Sequence, residues 1–83
     1  MKGYIARDCG GCLYLYDEYP KIDRKWGDTY YAESGNSILL CPYRFGSATG
    51  WEKFDKVDFG EPIEVEITRW YSDIKPNEIS IID

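Results

Sequence analysis

The chain has 83 residues, room for one domain with a modest core, because folding at this size removes only about 60 to 65 % of the unfolded surface from water. Its aromatic fraction of 17 % raises the buried area available per residue, and its 30 % of charged residues are scattered, which argues against a disordered chain. A net charge of −5 opposes generic binding to phosphate backbones.

The charge is unevenly distributed. Residues 1 to 51 carry six acids and six bases, whereas residues 52 to 83 carry nine acids and four bases, so the whole excess lies in the C-terminal third. The N-terminal MKGYIARD has no apolar stretch of signal-peptide type, and no run approaches the roughly 18 apolar residues of a membrane span. Three cysteines make a poor disulfide framework. A cytoplasmic protein without membrane contact is the expectation.

In chain order, Lys2 to Arg7 and Leu13 to Asp17 read as strands flanking Gly10-Gly11. A two-residue type I′ turn needs positive φ at both central positions, which two glycines supply. That register would set Cys9 opposite Cys12, Arg7 opposite Tyr14 and Ala6 opposite Leu15. Tyr4, Ala6, Leu13 and Leu15 would then form the core face, with Ile5, Arg7, Tyr14 and Tyr16 on the other.

Tyr30 to Ala32 is a weaker strand signal, and Ser37 to Cys41 (SILLC) a stronger one, opened by Gly35-Asn36 and closed by Pro42. Thr49 to Glu52 has the spacing of a capping box, and Trp51, Phe54 and Val57 follow near helical spacing, which predicts a short helix between Gly50 and Gly60. Pro62 to Tyr71 is the clearest strand, with Ile63, Val65 and Ile67 alternating with Glu64, Glu66 and Thr68. Glu78 to Ile82 is a last short strand. The predicted fold is mainly β: one domain over residues 1 to 83, a small antiparallel sheet or partly closed barrel, with room for one short helix near residues 50 to 58.

The motif Cys9-Gly10-Gly11-Cys12 invites a chemical reading. Redox-active Cys-x-x-Cys pairs sit at a helix N-terminus, but Leu13-Tyr14-Leu15-Tyr16 has strand periodicity. A structural zinc site wants four ligands, and the chain holds no histidine and only Cys41 besides. A tight turn is the preferred reading, so no metal or other cofactor is expected; a zinc-stabilised module through Cys9, Cys12 and Cys41 is the alternative. Without histidine the usual general base is missing, the carboxylate pairs Asp17-Glu18 and Glu64/Glu66 fall in turns and on a solvated strand, and no phosphate-binding loop is present. The expectation is a protein that is not an enzyme and has no catalytic residue. Tyr14, Tyr16, Trp26, Tyr30, Tyr31 and Trp70 read first as core and rim packing of a small β domain, with an exposed recognition surface as the alternative.

The segments Met1 to Tyr16, Trp51-Glu52 and Glu61-Pro62-Ile63-Glu64-Val65-Glu66-Ile67 together resemble a group of small proteins encoded by gut Bacteroides-type bacteria and their phages or mobile elements. The resemblance covers about a third of the chain. It implies a small cytoplasmic β domain and brings no activity, ligand or catalytic residue. Cys-Gly-Gly-Cys departs from the Asp-Gly turn of that group, which keeps a metal role in play.

The expected function is a non-enzymatic accessory module that binds another protein, with Tyr14, Tyr16, Trp70, Glu64 and Glu66 as candidate binding residues. The alternatives are the zinc module and an acidic inhibitor that mimics nucleic acid through Glu61, Glu64, Glu66 and their neighbours. A homodimer through a sheet edge is expected from Glu78 to Ile82, which offers three isoleucines and no lysine.

Overall fold

The computed structural model describes residues 1 to 26, 29 to 42 and 50 to 82. Among the described residues seven strands run in the order β1 (Lys2–Arg7), β2 (Leu13–Tyr16), β3 (Lys21–Asp23), β4 (Thr29–Tyr31), β5 (Ser37–Cys41), β6 (Ile63–Ile67) and β7 (Ile79–Ile81). They form an open five-stranded antiparallel sheet, ordered β5-β2-β1-β6-β7, and a separate β3-β4 hairpin. Three single 3-10 turns, Arg24–Trp26, Glu52–Phe54 and Pro76–Glu78, complete the described elements. Among the described residues none forms an α-helix, and no helix is long and apolar enough to cross a membrane.

The sheet is covered on both faces. Ile5, Leu13, Leu15, Ile38, Cys41, Val65, Ile67 and Ile79 meet Trp51, Phe54, Val57 and Ile74, which lie over one face as the main core. The β3-β4 hairpin covers part of the other face, where Ala6, Tyr16, Tyr30 and Ala32 bury one another and Tyr14 and Ile22 pack at the margin. Along β6 the alternation works as read: Val65 and Ile67 are buried, Ile63 packs against the same core, and Glu66 is exposed.

The β1-β2 hairpin departs from its predicted register. Arg7 pairs with Leu13, Ala6 with Tyr14, Ile5 with Leu15 and Tyr4 with Tyr16, a slip of one residue. The cause is local. Only Gly11 has positive φ, at 94°, so the two-glycine type I′ turn is not formed. Instead the Gly11 N–H donates to the Asp8 carbonyl (3.0 Å) and the Asp8 N–H to the Cys12 carbonyl (2.9 Å), closing a three-residue loop with a glycine in the left-handed region. The Asp8 carboxylate selects that loop by accepting from the Gly10 and Cys12 N–H groups, both at 2.9 Å. One residue of slip moves a strand's side chains to the opposite face. Ile5 and Arg7 therefore join Leu13 and Leu15 toward the main core, while Tyr4 and Ala6 share the other face with Tyr14 and Tyr16.

Arg7 is the buried charge this register creates, only 2 % exposed. Its guanidinium donates to the carbonyls of Val57 (2.7 Å), Gly11 (2.8 Å) and Phe54 (2.9 Å). A planar fork of donors suits three carbonyls from two segments, and it pins residues 54 to 57 to the hairpin.

The helix expected near residues 50 to 58 is reduced to the 3-10 turn Glu52–Phe54. Thr49 of the capping box lies outside the described residues. Trp51 stands at the cap with no side-chain hydrogen bond, and Gly50 (φ 84°) and Gly60 (φ 91°) bound a segment whose apolar residues are fixed by the sheet beneath them.

A candidate docking groove at the β5 edge

The residues singled out in the sequence do not converge. Tyr16 is buried under the β3-β4 hairpin, with its ring 6.2 Å from that of half-buried Tyr14. Trp70 is half-buried against the main core, on the other side of the sheet. Glu64 pairs with the Lys2 ammonium at 3.1 Å and Glu66 with the Met1 ammonium at 2.7 Å, so two central acids of the supposed mimic surface are paired with cations of Met1 and Lys2. The side chain of Trp26 lies outside the described residues.

The cysteines are dispersed in environment: Cys9 is exposed, Cys12 half-buried and Cys41 buried. Among the described residues no three Cys, Asp or Glu side chains are grouped to hold a metal ion. Burial, helped by the nearby Asp8 charge, pushes the Cys12 thiol above its ordinary pKa, which disfavours the thiolate that metal binding or exchange requires.

What the fold does assemble is a groove of about 270 Å³ lined by Leu39, Leu40, Trp51, Ser72, Asp73, Ile74, Lys75 and Pro76. β5 supplies one wall. Pairing with β2 shifts by one residue between Leu13↔Cys41 and Tyr14↔Leu39, which leaves Leu40 as the extra residue of a bulge. That extra residue lets Ile38 and Cys41, three apart, both face the core, while Leu39 stays 49 % exposed on the edge strand. Trp51 forms the floor, its ring 5.9 Å from that of Phe54. The far wall is a turn in which the Ile74 N–H bonds to the Tyr71 carbonyl at 3.3 Å, burying Ile74 and leaving Ser72, Asp73 and Lys75 at the rim.

This chemistry is sparse. Trp51 and Ile74 at the floor are almost fully buried, so most of the accessible surface of the groove is polar, and the rim carries one carboxylate and one ammonium. The volume falls short of the roughly 300 to 1,000 Å³ of typical cofactor and small-molecule sites and suits one or two side chains. No periodicity joins Leu39, Trp51 and Ile74, so their meeting was not legible in the sequence. No protein-family model matches the chain, and neither a curated protein nor a solved structure matches it.

Proposed function

We propose that this small mainly-β protein is a non-enzymatic binding module that docks an extended segment of another protein along β5. The observation that carries this reading is the half-exposed Leu39 on an edge strand beside the groove floored by Trp51 and Ile74. An edge strand offers main-chain groups to an added strand, and a pocket beside it takes one side chain and gives selectivity. The rim charges of Asp73 and Lys75 cancel, which gives an anionic ligand such as a nucleotide no net attraction, and exposed Leu39 is the apolar contact offered to a neutral polypeptide. The rival reading, an acidic mimic of nucleic acid, draws on the excess of −5, but the pairing of Glu64 with Lys2 and of Glu66 with the terminal ammonium weakens it.

Selection of a displayed random-peptide library against the protein tests the reading. The expected result is enrichment of peptides sharing one large apolar residue, with binding lost in a Leu39→Asp variant of unchanged circular dichroism. Absence of an enriched motif, or equal binding by Leu39→Asp, would overturn it.

A further inference from the structure

The groove at the β5 edge holds a polar group that the fold leaves unanswered. Trp51 is 7 % exposed and lines the groove, and among the described residues its side chain makes no hydrogen bond. An indole has one donor and no acceptor, so its N–H has a single way to be satisfied. Among the described residues the Tyr30 hydroxyl is the side-chain polar atom that is both sealed from solvent and unpartnered. The Trp51 N–H, unpartnered but not sealed, therefore meets solvent where Trp51 does, at the groove. A donor on so deeply buried a side chain, with nothing to accept from it, marks a place for a ligand atom.

The rim decides which atom. Asp73 and Lys75 are exposed on it, and among the described residues neither is used in an ion pair. The wall that carries them is held from both ends. The Lys75 N–H donates to the Glu78 carboxylate at 3.0 Å, and the Lys53 ammonium donates to the Pro76 carbonyl at 2.5 Å. A wall fixed in advance lowers the cost of ordering a ligand against it. A carboxylate would satisfy the indole N–H but meet Asp73 with like charge. An ammonium or guanidinium would meet Lys75 with like charge, and neither has an acceptor for the indole. An apolar side chain would leave every polar group of the groove dry and unpaired. A primary carboxamide carries an acceptor oxygen and two N–H donors at one end, without charge.

We propose that the groove is a carboxamide subsite, taking a glutamine or asparagine side chain of the docked polypeptide. The amide oxygen accepts from the Trp51 indole N–H, and the amide nitrogen donates to the Asp73 carboxylate. The source of the side chain rests on the docking reading above, while its chemistry rests on the groove's own groups. A volume of about 270 Å³ holds one such side chain. Selectivity follows from the same groups, because a site built to hydrogen-bond a ligand rejects a similar one that leaves its buried polar atoms unpaired.

Heteronuclear NMR of the isotope-labelled full chain tests the proposal, with N-acetyl-glutamine methylamide as the probe. The methionine and glutamate analogues serve as controls, since they keep both backbone amides and change only the side-chain end. The glutamine probe should move the assigned Trp51 indole N–H resonance along a saturable curve and leave that of Trp70 in place. The two analogues should bind more weakly by about tenfold or more, the loss expected when a desolvated donor finds no matching partner. Asp73→Ala, at an exposed position, should weaken the glutamine probe while the spectrum stays folded. An unmoved Trp51 resonance, equal curves for the methionine or glutamate analogue, or full affinity in Asp73→Ala would overturn the proposal. The titration needs no strand pairing, so it separates the two readings. Displayed peptides that enrich while the glutamine probe fails would remove the subsite and keep the docking. A glutamine-selective groove in a protein that enriches no peptide would keep the subsite and remove the docking.

Discussion

Arg7 Nε donates to the Val57 carbonyl at 2.7 Å across 50 residues of sequence, joining the first strand to the segment that roofs the main core. Removing that guanidinium takes the donor from the Gly11 and Val57 carbonyls and leaves the Phe54 carbonyl with only the Val57 N–H at 3.0 Å. Arg7→Met is expected to cost about 3 kcal/mol or more in a urea melt, since each unsatisfied buried group carries a penalty of roughly 1 to 3 kcal/mol. Arg7→Lys should recover only part, because one ammonium cannot reproduce the three-way fork. Near-native stability of Arg7→Met would show that the carbonyls find other donors.

The facing of β6 gives a second expectation. Val65 is fully buried and pairs with Gly3, whereas Glu66 is exposed. Val65→Ala should cost about 1 to 3 kcal/mol from lost burial and an incompletely closed cavity. Glu66→Ala should lie within about 1 kcal/mol of the native protein, the range of an exposed ion pair. Equal losses in the two denaturant curves would mean that the strand's facing is not what fixes its worth.

The hairpin loop separates its two glycines. Gly11 at φ 94° occupies a region where a side chain costs about 1 to 2 kcal/mol, so Gly11→Ala should lower the midpoint clearly. A Cβ on Gly10 would meet only the Asp8 carboxylate, at an ordinary 3.4 Å, and Gly10→Ala should be tolerated. Serine at exposed Cys9 should change little and a chelator nothing, while serine at buried Cys41 should destabilise. Stoichiometric zinc by elemental analysis would reverse the expectation for all three cysteines.

Acid sensitivity should be traceable to Asp17. Its carboxylate accepts from Ser34 Oγ at 2.6 Å and Asn36 Nδ2 at 2.8 Å, and these bonds hold its pKa below the ordinary value. A depressed folded pKa contributes stability above the unfolded value of about 3.9 that is lost as pH falls through the folded one. Asp17→Asn should therefore be less stable than the native protein near neutrality and flatter below about pH 4. Parallel stability curves for the two proteins through the acid range would remove Asp17 from the account.

At the alkaline end Tyr16 should matter. Burial, reinforced by Tyr14, Asp8 and Tyr30, pushes its phenol far above the usual value. The fold thus favours the neutral form. Stability on this account is full below the unfolded pKa of about 10 and declines as pH rises beyond it. Tyr16→Phe keeps the ring in its layer and loses only a weak 3.5 Å bond to the Tyr30 carbonyl. It should unfold at higher pH than the native protein, as read by far-ultraviolet circular dichroism.

Which elements exist was largely legible; which face they present was not. The strands at Lys2–Arg7, Ser37–Cys41 and Ile63–Ile67 follow from β-rich runs bounded by turn residues, and these chain-local patterns survive folding. Lys21–Asp23 was missed because three residues of mixed polarity carry no period. The register slip came from Asp8: its side chain stabilises a longer loop than the two glycines alone would choose, and that preference outweighs their symmetry. Tyr14 and Tyr16, read as candidates for exposure, were covered by a hairpin the pattern barely marked. The groove lay beyond reach for a related reason, since Leu39, Trp51 and Ile74 come from three segments that tertiary packing alone brings together.

The position of β1 between β2 and β6 bears on how the chain is made. A ribosome delivers the middle strand of this sheet first. β2 and β5 can dock on one side of it once residue 41 has emerged, but its other side waits for β6 at residues 63 to 67. Until then the nascent sheet ends in Lys2–Arg7, and Arg7 still lacks the Phe54 and Val57 carbonyls that will enclose it. The pairing of β6 with β1 is thus a late, long-range event, which places the slow step of folding at that junction.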